Sequence, residues 1–335
     1  MRRPGNADGE APIVLITFPD FDTEHPQHGG ALTAAGYTLR IAAKRGARSP
    51  AELLALSADV AGAIVSTDPF TREVLRDSPH LRVIARVGVG IDSIDVDAAT
   101  ELGVAITTTP GANEETVADH TIAMMLGLLR RIPRNDAGVR EGQWNRTGPH
   151  TPRQLTGSTV GLIGYGHIGR LVAQRLAGFD VELLVSDPAL GRSESPRSVE
   201  LVELLARSDV VSLHTPLTPA TRNLIDQAAL QSMRPHAVLV NTARGGVVDE
   251  NALIHALNEG VIAGAALDVF ETEPPVASPL FAMPNVVVSP HVAGISTTSI
   301  DVMMRRATAS VIDVIEGRVP EGLANRGILD DNPAS

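Results

Sequence analysis

The chain has 335 residues, 43% of them hydrophobic, and a formal net charge of −11. That length supports two domains, each with its own core, and no apolar run reaches the roughly 20 residues of a membrane span. The acidic balance argues against a surface that tracks nucleic-acid phosphates. The absence of cysteine rules out disulfides, cysteine-held zinc and thiol nucleophiles together, and fits a cytoplasmic protein.

Along the chain, Met1–Pro12 is polar and lacks the apolar stretch of a signal peptide, so it reads as a disordered leader. Strands are expected at Ile13–Phe18, Ala61–Ser66 and Arg82–Val87, with helices at Ser49–Leu56 and Thr71–Arg76. A long helix follows at Asn113–Arg130. It carries Ile122, Met124, Met125, Leu126, Leu128 and Leu129, more apolar surface than one narrow stripe, and part of it is expected to pack across a two-fold axis in a homodimer. Strands Thr159–Ile163, Val181–Ser186, Val210–His214, Ala237–Asn241, Gly264–Leu267 and Val286–Ser289 then come with helices Ile168–Ala177, Val199–Ala206 and Asp249–Glu259, and Ser296–Glu316 closes the series. Such alternation reads as parallel sheets flanked by helices. Composition shifts at Pro110-Gly111 and after Pro290 place one domain at 110–295, inserted into a smaller one made of 1–109 and 296–335.

Within the inserted domain, a strand runs into Gly164-Tyr165-Gly166-His167-Ile168-Gly169 and then a helix. In this G-x-G-x-x-G pattern the first glycine permits the turn, the second lets backbone approach a pyrophosphate and the third allows helix–strand packing. The next strand ends in Asp187, 18 residues after Gly169, where a carboxylate accepts hydrogen bonds from a ribose diol and repels a 2′-phosphate. The expected cofactor is NAD. The plainer reading of Asp187, followed by Pro188, is a strand-end cap.

Several dehydrogenase chemistries fail on counting. Tyr37 and Tyr165 are followed four residues on by Ile41 and Gly169, so no Tyr-x-x-x-Lys pair exists, and Lys44 is the only lysine. Three strand ends downstream offer charge instead: Arg244 after Val238–Asn241; Asp268, Glu271 and Glu273 after Ala265–Leu267; and His291 after Val286–Val288. An arginine fork suits a carboxylate, an imidazole suits proton transfer to an alkoxide, and a carboxylate orients the imidazole. Together they suit hydride transfer to a 2-oxo acid, although a single histidine among ten is more often structural.

With these motifs the chain resembles the D-isomer-specific 2-hydroxyacid dehydrogenase family, and within it is similar to D-3-phosphoglycerate dehydrogenases, from about residue 12 to 325. The carriers are Arg86-Val-Gly88-Val-Gly90-Ile-Asp92, the glycine loop, His214-Thr215-Pro216-Leu217, Asn241-Thr-Ala-Arg244-Gly-Gly, Asp268-Val-Phe-Glu-Thr-Glu273-Pro-Pro and Ser289-Pro-His291-Val-Ala-Gly294. The resemblance implies an α/β fold of two Rossmann-like doubly wound domains, with the NAD-binding domain inserted into the substrate domain. It implies Arg244 as substrate clamp, His291 as acid/base and Glu273, directly before Pro-Pro, as its partner; Glu271 competes on the residues alone. It further implies Val87, Gly88 and Val89 at the substrate, and Val89, Thr116, residues 164–169, Asp187, Thr215, Pro216, Thr242, Ala243, Arg244, Asp268, His291 and Gly294 at NAD, with no metal.

His214 is expected to be structural. Gly142-Gln143-Trp144 resembles a dimer-contact stretch, or covers a local core. The chain departs from phosphoglycerate dehydrogenases at Ser66-Thr67-Asp68-Pro69, where an arginine commonly meets the substrate phosphate and Asp68 is expected to repel it. Ser93 replaces a common Asn, and no regulatory domain precedes Ser335. The expected substrate is a small anionic 2-hydroxy or 2-oxo acid of the 3-phosphoglycerate, hydroxypyruvate or glyoxylate type. The alternative is an NAD-sensing, corepressor-like dimer of the same fold, which needs no turnover; the intact Arg244, Glu273 and His291 favour the enzyme.

Overall fold

A computed structural model describes residues 11–44, 46, 48–148, 151–191 and 196–329. The leader expected over Met1–Pro12 lies, up to residue 10, outside them. The chain divides into two compact units, residues 1–113 with 296–335 and residues 114–295.

The first unit opens with strands β1 (Ile13–Ile16), β2 (Thr38–Ile41), β3 (Gly62–Val65), β4 (Val83–Arg86) and β5 (Ala105–Thr107), all parallel, in the order β2-β1-β3-β4-β5. Helices α1 (Gly29–Ala34), α2 (Pro50–Ser57), α3 (Arg72–Arg76) and α4 (Val96–Glu101) alternate with them. The inner strands are buried almost throughout, as continuous β-branched runs must be when helices cover both faces. Local chemistry sets the helix starts. Ser49 and Glu52 form a capping box at α2 with Pro50 in its first turn, while Thr71 and Asp95 accept N–H bonds at α3 and α4.

The second unit begins with α5 (Glu114–Leu129) and α6 (Ile132–Arg140). It continues through β6 (Thr159–Ile163), α7 (His167–Leu176), β7 (Glu182–Ser186), β8 (Arg197–Ser198), α8 (Leu201–Arg207), β9 (Val210–Leu213), α9 (Gln227–Ser232), β10 (Val238–Asn241), α10 (Glu250–Asn258), β11 (Gly264–Leu267) and β12 (Val286–Val288). The last helix, α11 (Thr297–Ile315), belongs to the first unit. There it buries Met303, Ala307, Val311 and Ile315, one face at four-residue spacing, on β3 and β4.

The second sheet is parallel with order β12-β11-β10-β9-β6-β7-β8. Strand β6 pairs with β7 on one side and β9 on the other, so the chain reverses direction across the sheet beside it. The loop after β6 thus stands at the switch point where open α/β sheets bind ligands.

Most apolar side chains of α5 are buried within the chain: Ala118, Met124, Met125, Leu128 and Leu129 join the core over β6 and β10, and Ile122 and Leu126 are partly buried against it. Trp144 covers no local core, being 76% exposed, and α6 buries none of its residues.

Candidate active site

The three glycines after β6 do separate jobs. A β-carbon on Gly164, whose φ is +97°, would lie 2.4 Å from the His214 carbonyl oxygen, and one on Gly169 would lie 2.4 Å from the Gly164 carbonyl oxygen. Both are required by the chain's own packing. A β-carbon on Gly166 would meet nothing within 4 Å, so that side is open to an incoming group. Gly166 is also the N-cap of α7, which has no side-chain cap, and the first-turn N–H groups face outward with the positive end of the helix.

Asp187 follows β7 and accepts the Tyr165 N–H at 2.6 Å and the Ala189 N–H at 2.8 Å. It therefore caps the strand end and ties down the glycine loop, and each oxygen keeps a lone pair for a ribose hydroxyl. Arg170 stacks over the Tyr165 ring at 4.8 Å. An open glycine, an uncapped helix start and a carboxylate at the next strand end fit a dinucleotide.

The chemistry-bearing side chains follow β10, β11 and β12, which are neighbours in the sheet. At the end of β10, buried Asn241 donates through Nδ2 to the Arg244 carbonyl (2.9 Å) and accepts the Ala243 N–H through Oδ1 (3.0 Å), fixing the turn that carries Arg244. Arg244 donates from Nη1 to the Ala243 carbonyl at 2.7 Å. The adjoining Gly245 lies against the backbone of Phe270, where a β-carbon would come within 1.9 Å, so the β10 and β11 turns touch.

In the β11 turn, Glu273 accepts the Phe270 N–H through Oε1 at 3.0 Å and meets His291 Nδ1 through Oε2 at 2.5 Å. Glu271 is exposed, and its N–H donates to Glu250 Oε2 at 3.2 Å. Distance thus separates two carboxylates that the residues alone left in competition. With Nδ1–H engaged by Glu273, Nε2 is the ring nitrogen left to face a substrate.

His291 is held at φ +53° in the left-handed region, and its N–H donates to the Asp268 carbonyl at 2.8 Å. The Asp268 carboxylate is 0% exposed and accepts from Ser289 Oγ (2.6 Å), Val292 N–H (2.9 Å) and Ala293 N–H (2.8 Å). This side chain, expected at the cofactor, grips the loop that carries His291. His120 of α5 joins from behind, with Nε2 3.0 Å from Ser289 Oγ. Nothing in the spacing marks His120, 169 positions away from Ser289. Asn241 is marked, as a polar residue ending an apolar strand.

Other expected residues fall as follows. Thr242 is buried with Oγ1 2.8 Å from Thr121 Oγ1. Ala243 and Gly294 are half-buried beside Arg244 and His291, Thr116 is half-buried near the start of α5, and half-buried Thr215 and exposed Pro216 follow β9. His214 is structural: its imidazole lies inward, Nε2 3.0 Å from Ser212 Oγ, and desolvation pushes it down to about 4. Val87, Gly88 and Val89 follow β4 in the first unit.

In that unit Asp68 accepts from Thr17 Oγ1 (2.6 Å) and Arg48 Nε (2.9 Å), and the Asp68 and Arg48 side chains are each 8% exposed. The expectation that Asp68 repels phosphate directly is corrected, because its charge points inward and is paired. Among the described residues, His25, His28 and Asp301 form the one cluster with metal-ligand spacing. The two rings stack at 3.9 Å and His25 Nδ1 accepts the Gln27 N–H.

The family model for the NAD-binding domain of D-isomer specific 2-hydroxyacid dehydrogenases matches residues 122–293. The glyoxylate reductase of Thermococcus litoralis is 39% identical over 277 residues, 80% of this chain and 84% of that protein. The D-3-phosphoglycerate dehydrogenase of Mycobacterium tuberculosis is 45% identical over 229 residues, 67% of this chain but 43% of that longer protein. Among solved structures, the NADPH-dependent glyoxylate/hydroxypyruvate reductase of Sinorhizobium meliloti superposes with a TM-score of 0.81 at 30% identity, covering 94% of this chain and 98% of that one. The chain belongs to the D-isomer specific 2-hydroxyacid dehydrogenase family, whose enzymes pass a hydride between NAD(H) and a 2-hydroxy/2-oxo acid pair, as this one does.

Proposed function

We propose that the preferred substrate is a small unphosphorylated 2-oxo acid of the glyoxylate or hydroxypyruvate type, bound by Arg244 and protonated by His291 with Glu273 as partner. The observation that carries this reading is the 2.5 Å contact between His291 Nδ1 and Glu273 Oε2 beside the Arg244 turn. Bound NADH supplies the hydride taken up at C2. The Arg244 guanidinium, planar and always charged, pairs with the substrate carboxylate and polarises the neighbouring carbonyl. As charge develops on the carbonyl oxygen, His291 Nε2–H donates its proton, and Glu273 holds the ring in place through Nδ1. Oxidation runs the same transfers in reverse.

The substrate class is supported by the glyoxylate reductases among the relatives and by the arginines of the first unit. Arg48 is paired with Asp68, exposed Arg72 with Glu101, and Arg86 turns to the Val87 and Gly90 carbonyls. In this reading residues 110–295 bind NAD, residues 1–109 and 296–335 bind the substrate, and the enzyme works in the cytoplasm as a homodimer.

The test is loss of NADH absorbance with glyoxylate, hydroxypyruvate, 3-phosphohydroxypyruvate and longer 2-oxo acids. Turnover of the unphosphorylated acids without a strong preference for the phosphorylated one is expected. A preference of two orders of magnitude in kcat/KM for 3-phosphohydroxypyruvate overturns the substrate class.

A further inference from the structure

The loop after β4 is gripped from two sides. Arg86 donates from Nη1 to the Val87 carbonyl and from Nε to the Gly90 carbonyl (3.1 Å). From the other side, buried Thr109 engages both polar atoms of Gly88. Its Oγ1 accepts the Gly88 N–H at 3.0 Å, and its N–H donates to the Gly88 carbonyl at 2.9 Å. The hydroxyl proton also points at that carbonyl, at 3.3 Å. Gly88 adopts φ +138°, and a β-carbon there would lie 2.8 Å from Arg86 Nη1, so only glycine fits between the two grips.

The direction of the next N–H follows from peptide geometry. In a planar trans peptide the C=O and N–H point opposite ways. With the Gly88 carbonyl turned onto Thr109, the Val89 N–H must point away from it. Among the described residues that N–H has no acceptor, and Val89 is 46% exposed although apolar. It stands at the carboxyl edge of a parallel sheet, where such folds present groups to ligands.

We propose that Thr109 is a positioning residue: by holding the Gly88 peptide, it aims the Val89 N–H at a carboxylate oxygen of the substrate, with Arg86 bracing the other side of the loop. This rests on the reading that the ligand is a 2-oxo acid. A hydrogen bond aimed at the carboxylate acts equally in ground and transition states, so its loss raises KM and leaves kcat in place.

The experiment compares Thr109→Val, which keeps the shape and loses the hydroxyl, with Thr109→Ser, which keeps it. Thr109→Val is expected to raise KM for the 2-oxo acid about tenfold, the usual worth of one such bond. It should weaken inhibition by oxamate, an unreactive carboxylate, in parallel, while kcat and NADH affinity stay near wild type. Thr109→Ser is expected to restore KM and oxamate inhibition, which a loss of packing volume alone does not explain. Should Thr109→Val fail to fold, Arg86→Gln carries the same expectation through the opposite grip. An active wild type whose folded variants keep KM and oxamate inhibition unchanged, or lose NADH affinity as strongly as substrate affinity, overturns this inference alone. A folded, NADH-binding wild type inert toward every 2-oxo acid overturns the substrate reading beneath it.

Discussion

His291 occupies a left-handed backbone conformation that costs a non-glycine residue about 1–2 kcal/mol. The buried Asp268 carboxylate, with three donors from residues 289–293 closed on it, compensates and leaves the ring one orientation toward Glu273. The mutational consequences differ by residue. His291→Ala removes the proton donor for reduction and is expected to lower kcat by about 10²–10⁴-fold, the range of general acid catalysis. Glu273→Gln keeps the size of the side chain and removes its charge. The ring then loses the carboxylate that meets Nδ1 at 2.5 Å and orients it, so kcat for reduction should fall at least about tenfold while NADH still binds. An unchanged kcat, with NADH still bound, removes Glu273 from the role of partner.

At the scale of elements, the legible parts were those whose physics is local. Strand β6, its glycines and α7 form a sequence-contiguous unit, and fully apolar runs such as Val238–Val240 announce buried parallel strands without long-range information. The elements that escaped are short or lack a pattern. Strand β2 is a half-exposed edge strand with a charge at Arg40, β5 has three residues, and α6 contains Pro133 and Gly138 and buries nothing. The choice between Glu273 and Glu271 depends on how a turn folds back on β12, and the pairing of Arg48 with Asp68 depends on two loops meeting. Neither is written in spacing. The end of β9 adds a pH dependence. His214 titrates at about 4 in the folded chain against 6.5 unperturbed, because burial disfavours its charged form. The unfolded chain therefore takes up a proton below about pH 6.5 that the folded chain refuses until about pH 4, and stability falls across that window as pH falls. At about pH 5 the loss is of order 2 kcal/mol. Urea midpoints at neutral pH and near pH 5 should converge less steeply in His214→Gln than in wild type; equal acid losses in the two proteins refute the assignment.

At the scale of the whole molecule, the apolar surface left over after both cores are complete is the surface on which the proposed homodimer can be tested. Most of the apolar surface of helix α5 goes into the core of its own unit, with Ile122 and Leu126 partly buried. Helix α6 and the turn after it stay outside that core: Ile132 is 56% exposed, Val139 54% and Trp144 76%, and α6 buries none of its residues. A nine-residue helix is only marginally stable by itself in water, and a helix with no buried residue takes little stability from its own chain. Grouped tryptophan and aliphatic side chains on such an element favour a protein interface, and a patch meeting its own copy closes as a two-fold dimer. Light scattering on the purified protein at micromolar concentration should accordingly give twice the chain mass of 35.2 kDa. Replacing Ile132 and Trp144 together by Asp and Glu places charge at the centre of the contact and should return the mass to one chain, while far-ultraviolet circular dichroism shows the fold intact. Substituting Val202, equally apolar and 70% exposed on α8, should leave the dimer in place. A wild type that runs as one chain, or a dimer indifferent to the Ile132 and Trp144 substitutions, shows that α6 meets no second copy.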